Sequence, residues 1–192
     1  RIVEVLEKQG MGLNLTVEVR DGILNHRTAG SPHTLEGKVV RLSDKIAYIN
    51  HDIDDAIRGG ILTEEDIPPD YRRILGFTTR ERLNTLIHDM IRNSEGVPDI
   101  RMSAEVEEAM KELRQFMFTH VYTNPRAKGE EKKAINMLEG LFMYYMEHPD
   151  LLPEQFKKML SAQCGLDRVV CDYIAGMTDQ FAIAKFTEFY IP

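Results

Sequence analysis

The sequence predicts an all-α protein, and three observations carry that prediction. Apolar residues recur at spacings of three and four through most of the 192 residues, the period of a helix with one buried face. Proline and glycine-rich punctuation falls between these stretches, at "RTAGSPHT", "GG", "IPPDY" and "GVPDI", where turns and helix ends belong. The one alternating run, "LTVEVR", continues at helical spacing into Leu24 and is followed by no hairpin signal, so it reads as helix and not as strand.

The elements follow in order. "RIVEVLEKQG" presents Ile2, Val3, Val5 and Leu6 as the buried face of a first helix that Gly10 and Gly12 end. It has no cap ahead of it, so the chain is expected to begin inside a domain whose N-terminal part precedes it. "NLTVEVRDGILNHR" predicts a helix capped by Asn14 or Thr16, with Leu15, Val19, Ile23 and Leu24 on one face. A long helix is predicted from about Leu35 to Ile61, stopped by Gly59 and Gly60. "TEEDIPPDY" is expected to be loop, and "TTRERL" to cap a helix from Thr79 to about Asn93. Residues 96–101 mark the internal boundary, giving expected domains 1–96 and 97–192. Beyond it helices are predicted at 103–122, about 127–147, around 153–162 and 165–187, separated by Pro125, Pro149 and Pro153. The group "LFMYYM" at 141–146 reads as core or subunit interface, and the apolar "FTEFYIP" as a terminus docked on the body or a neighbour.

Composition narrows the function. Charged residues make up 29% and the formal net charge is −7, which disfavours wrapping nucleic acid through the global field. Charges interrupt every apolar run before the roughly 20 residues a membrane span needs. The first residues lack the apolar core of a secretory signal. A cytoplasmic protein is expected, with Cys164 and Cys171 as buried thiols in a reducing compartment.

The long helix carries the candidate site. At about 100° per residue, Val39, Leu42, Ile46, Ile49, Ile53 and Ile57 share one arc, the predicted core face. Arg41, Asp44, Tyr48, Asp52 and Asp55 share the opposite arc, with Lys45 at its edge. A solvated face would have this pattern. Aspartate, however, is a poorer helix former than glutamate, and a tyrosine within a polar arc suits a surface it can lie against. A cleft holding a cation or phosphates accounts for both.

"RLSDKIAYINHDIDDAI" resembles the segment that supplies the last metal ligand in the HD-domain deoxynucleoside triphosphate triphosphohydrolases, the dGTPase-like family. "GLNLTVEVRDGILNH" and "CDYIAGMTDQFAI" resemble that family too, so the likeness runs from residue 12 to 183. Gln180 departs from it, standing where a basic residue is expected. The resemblance implies the C-terminal portion of a helical HD-domain-like bundle with additional C-terminal helices. It implies Asp44 as a ligand of a divalent metal ion (Mg, Mn or another transition metal), Lys45 on the triphosphate, Tyr48 along phosphate and sugar, and Asp52 on the deoxyribose 3′-hydroxyl. The implied reaction releases deoxynucleoside and triphosphate from a dNTP. Homo-oligomers, and in some members a regulatory nucleotide, are implied as well.

These roles suit the side chains. A carboxylate is a hard metal ligand and the ion activates water near neutral pH. Asp44, Tyr48 and Asp52 make a row roughly 12 Å long. The family's early His and His-Asp ligands have no counterpart here; His51-Asp52 and His88-Asp89 read as coincidental doublets, and His26 as a helix-end residue. With one metal ligand, the chain by itself is expected to hold no ion tightly and to be inactive, and Leu15, Val19 and Ile23 are expected to be partly exposed. Asp54, off the polar arc, is expected to be replaceable without effect. Arg126 and Lys128 in "NPRAKGEEKK" form either a basic lip for phosphate or an effector, or a solvated helix start. Another HD phosphohydrolase and a catalytically silent helical interaction domain are the alternative readings.

Overall fold

The computed structural model describes residues 1–160 and 164–192, the side chains of 126–128 excepted. Among the described residues there are α-helices and short 3-10 and π turns, and no strand. The chain divides into two compact units, Thr16–Lys128 and Arg1–Leu15 with Gly129–Pro192.

The unit Thr16–Lys128 is built on a long central helix. α2 (Val17–Asn25) is capped by Thr16, whose Oγ1 accepts from Val19 N at 3.5 Å. α3 (Leu35–Arg58) is capped by Thr34, whose Oγ1 accepts from Gly37 N at 3.1 Å. It stops at Gly59, and Gly60 follows at φ 63°, a conformation only glycine adopts freely. Ile46, Ile49 and Ile53 of α3 are buried, packed with Leu75, Leu86, Val106, Leu113 and Met117 in one core. Each such side chain contributes about 1.5–3 kcal/mol of burial.

Three expectations fail in this unit for local reasons. Val39 is 39% exposed, because α2 meets α3 at the glycine pair Gly22 and Gly37 and Val39 lies about 200° round the helix from that crossing. The stretch expected to be loop is ordered: Thr63 and Asp66 cap one another around a 3-10 turn, Glu64–Asp66, with Thr63 N donating to Asp66 at 2.6 Å. Pro68 and Pro69 then open α4 (Pro69–Leu75); proline suits a first helical turn as well as it breaks a later one. α5 (Thr79–Ser94) is capped as its sequence predicts, with Glu81 N donating to Thr78 Oγ1 at 3.2 Å and Phe77 N to the Glu81 carboxylate at 2.8 Å. The helix predicted over 103–122 is regular only as α6 (Ala104–Met117) and widens into a π turn at Phe118–Tyr122. α6 packs on α4, so residues on both sides of 96/97 share this core.

The other unit takes α7 (Pro125–Glu147) from Gly129 onward, the short α8 (Glu154–Lys157), α9 (Leu166–Ala175) and α10 (Asp179–Tyr190). Leu141, Tyr145, Leu152, Val169, Val170 and Ala182 form its core, so "LFMYYM" supplies core as expected. The terminal segment docks in part: Phe189 stacks on Tyr144 at 4.1 Å, and Tyr190 donates to Gly140 O at 3.0 Å. The helix predicted over 165–187 is two, because Gly176 ends α9 and Thr178 recaps α10, accepting from Phe181 N at 3.3 Å. The helix expected at 153–162 is one turn, α8, and 161–163 lie outside the described residues.

The first ten residues do not form an amphipathic helix either. A π turn, Ile2–Leu6, runs into α1 (Glu7–Gly10), where Lys8 and Gln9 take φ 49° and 61° and no side chain is buried. Gly12 folds back on this turn so closely that a Cβ there would lie 2.4 Å from Glu4 O. Cys171 is exposed and Cys164 half-buried, against the expectation of two buried thiols.

Asp172 of α9 is buried and accepts from Arg1 Nε at 3.0 Å and from Arg168 at 3.2 Å. The Arg1 guanidinium holds its carboxyl below the usual carboxylate range, with burial opposing. A folded-state value below the unfolded one stabilises fully above about pH 4 and is lost as pH falls through the folded value. Asp172→Asn should therefore lower the urea midpoint at pH 7, and the difference from wild type should shrink as pH drops below 4; a difference constant with pH would contradict the ion-pair account.

Candidate functional site

The polar arc of α3 meets α6 and the loop at 26–34 within the unit Thr16–Lys128. Asp44 is half-buried, and among the described residues its carboxylate makes no hydrogen bond or ion pair. Lys45, beside it, is half-buried too. Its pKa is lowered, by burial first and then by Arg41 and Arg114, with Glu107 acting the other way. Arg41 lies one turn before Lys45 on the same side of the helix. Its Nε donates to Arg27 O at 3.2 Å and its terminal nitrogen to Thr28 O at 2.8 Å. Arg114 of α6 reaches the same place, donating to Thr28 Oγ1 at 2.9 Å.

Farther along the arc the chemistry changes. Tyr48 is 66% exposed, so the described chain leaves most of this residue open. Asp52 is half-buried and accepts from the Tyr122 hydroxyl. Burial and then the Asp52 carboxylate push the Tyr122 phenol up, keeping it protonated as a donor. The row thus has a cationic end at Arg41, Lys45 and Arg114, and a carboxylate–hydroxyl end at Asp52 and Tyr122. Such a row suits a molecule with several negative charges at one end and hydroxyl groups at the other.

Arg114 and Tyr122 were not legible as site residues. They lie eight apart, on one face of a helix, but nothing in the sequence says which helix that face meets. The π turn that begins at Phe118 also sets where Tyr122 points.

The remaining candidates separate cleanly. His51 and His88 are exposed, and no group of three metal-ligating side chains occurs among the described residues. Asp89 serves structure, accepting from Ser103 N at 2.8 Å and from Asn93. His26 caps α2, its Nδ1 2.6 Å from Ile23 O. The side chains of Arg126 and Lys128 lie outside the described residues. Asp54 is not idle: it accepts from Thr79 Oγ1 at 2.6 Å and belongs to a buried network with Arg82. Val19 and Ile23 are 48% and 44% exposed, as expected of that face. In the other unit, an apolar hollow of about 1220 Å³ between α7 and α10 is lined by Met137, Leu138, Phe142, Ile174, Met177 and Ile183 among others; it lacks the cluster of cations found at Lys45. No helix among the described residues is long and apolar enough to cross a membrane.

Residues 100–188 match a phosphohydrolase-associated domain. Relatives named deoxyguanosinetriphosphate triphosphohydrolase-like protein match the whole chain: one from Caldanaerobacter subterraneus at 52% identity, one from Clostridium perfringens at 44% and one from Geobacter sulfurreducens at 31%. The chain spans 56%, 58% and 63% of their respective lengths. The chain is thus similar along all of its residues to deoxyguanosinetriphosphate triphosphohydrolase-like proteins, and over residues 100–188 to a phosphohydrolase-associated domain.

Proposed function

We propose that this chain supplies the substrate-binding wall of an enzyme that hydrolyses deoxynucleoside triphosphates to deoxynucleoside and inorganic triphosphate. The observation that carries the reading is the two-ended row on α3, with Arg41, Lys45 and Arg114 at one end and Asp52 with Tyr122 at the other. The relatives' name supports the reaction class.

Each residue has a task that its surroundings favour. Lys45 and Arg114 neutralise the triphosphate, more strongly where water is partly excluded than they would in bulk. Tyr48 offers its exposed ring to the sugar and phosphates. Asp52 accepts the 3′-hydroxyl; Tyr122 takes one carboxylate oxygen, and a carboxylate has lone pairs left for a second donor. Asp44 fits as one oxygen ligand of a divalent ion such as Mg or Mn, because its carboxylate is not engaged elsewhere among the described residues. Those residues do not supply a full ligand set, so the others must come from outside them. When bound, the ion would polarise the α-phosphoryl group. The same proposal extends to a homo-oligomer acting on the cytoplasmic nucleotide pool, with Arg126 and Lys128 as contacts for phosphate or a regulatory nucleotide.

Product analysis tests it. The complete protein, given dGTP and Mn²⁺, should release deoxyguanosine and inorganic triphosphate in equal amounts. Orthophosphate or pyrophosphate as the first product would point to a different phosphohydrolase and overturn the assignment of the row.

A further inference from the structure

Both arginines at the cationic end are held by one short segment, the loop 26–34 between α2 and α3. The loop is built, not slack. Asp21 of α2 fastens its far side, with Oδ2 accepting from His33 N at 2.8 Å and Oδ1 taking the His33 ring at 2.8 Å and Asn25 Nδ2 at 2.8 Å. The backbone amide of His33 and its ring hold the Asp21 carboxyl below its usual range. Pro32 is buried, and the turn at Gly30 is so tight that a Cβ there would lie 2.5 Å from Asn25 O. A loop fixed at both ends presents its carbonyls and hydroxyl in set positions.

Thr28 stands where the two cations converge. Its carbonyl accepts from Arg41 at 2.8 Å and its Oγ1 from Arg114 at 2.9 Å. The like charges of Arg41, Lys45 and Arg114 repel one another, and a long arginine side chain left to itself would swing into solvent. We propose that Thr28 is a positioning residue, and that its hydroxyl holds the Arg114 guanidinium beside Lys45 and Arg41 so that a polyphosphate chain meets three cations already gathered. This deepens the proposed function and rests on it. Thr28 touches the arginine and not the substrate; its effect reaches the phosphates through the lowered entropy of the cation that binds them.

Titration calorimetry of this chain with inorganic tripolyphosphate reads the effect. Thr28→Val keeps the side-chain volume and the backbone carbonyl that receives Arg41, and removes only the hydroxyl. It should weaken tripolyphosphate binding about tenfold, the scale of one charge-assisted hydrogen bond, while Thr28→Ser should bind within about twofold of wild type. Arg114→Gln should weaken binding at least as much. The double variant Thr28→Val/Arg114→Gln should be no weaker than Arg114→Gln alone, because the hydroxyl acts through that guanidinium. In the complete protein, Thr28→Val should raise KM for dGTP and leave kcat nearly unchanged, since the hydroxyl acts on binding. Wild-type affinity in Thr28→Val, full additivity in the double variant, or no tripolyphosphate binding by the wild-type chain would each overturn the proposal. The outcomes stay separable from those of the reaction assignment: a complete protein that releases orthophosphate yet shows the Thr28 effect on tripolyphosphate sinks the reaction and leaves the positioning role standing.

Discussion

Asp44→Ala in the complete protein should lower dNTP hydrolysis by about a thousandfold or more if, as proposed, its carboxylate is one ligand of an ion that polarises the reacting group. Metal content, measured by mass spectrometry after gel filtration, should fall in parallel. The expectation rests on a half-buried carboxylate with no partner of its own among the described residues, next to a lysine that burial and two arginines keep below its usual pKa. Asp55→Ala is the matching control. Asp55 lies on the same arc, but it is 68% exposed and pairs with Arg58 one turn on, and an exposed pair of this kind contributes about 0–1 kcal/mol. Its removal should leave activity within about twofold. Equal losses from the two variants would refute the assignment of Asp44. Asp54 makes a poor control, because it accepts from Thr79 at 2.6 Å and any loss there mixes function with stability.

The two faces of α3, and with them its half of the candidate site, were legible because that information is local. Helical periodicity puts Ile46, Ile49 and Ile53 on one side and Asp44, Tyr48 and Asp52 on the other, and burial follows that division. Two caps were legible for the same reason: Thr16 and the Thr78 of "TTRERL" each precede a helix and each accepts from its third following residue, as Thr34, which the sequence reading did not single out, does for α3. What escaped depends on contacts between distant parts of the chain. Arg114 and Tyr122 reach the row from 62 and 70 residues beyond Asp52, and only the packing of α6 in the same core brings them there. Asn50 shows the limit from the other side. It lies close to the core face by periodicity, yet a polar residue there is explained only by a partner that periodicity does not reveal.

That partner is Arg82, and replacing it by Met should cost about 3–5 kcal/mol and lower Tm by roughly 10 °C. Arg82 is 1% exposed. Its Nε donates to Asn50 Oδ1 at 3.2 Å, its two terminal nitrogens to the Glu64 carboxylate at 2.8 and 3.1 Å, and one of these also to Thr79 Oγ1 at 3.1 Å. Thr79 passes the chain on to Asp54, and Asn50 Nδ2 closes it on Ile46 O at 2.8 Å. One guanidinium thereby joins α3, α5 and the capped turn at 64–66. Methionine fills a similar volume, so little of the loss comes from a cavity. It comes from Glu64, 25% exposed, and from the Asn50 carbonyl, both left without their donor in a site where water replaces it poorly. Converting Glu64 to Met as well removes the orphaned charge and should recover part of the loss. Thermal unfolding followed by circular dichroism decides the matter: a single-variant shift under about 2 °C, or a double variant less stable than the single, would mean the network does not anchor the helix. The catalytic consequence is separate and follows from position. Asn50 lies between Tyr48 and Asp52 in sequence and roughly opposite them on the helix, so the hold that Arg82 takes on the buried side of α3 fixes how the polar side meets Arg114 and Tyr122. Arg82→Met, assayed well below its lowered Tm, should therefore still raise KM for dGTP.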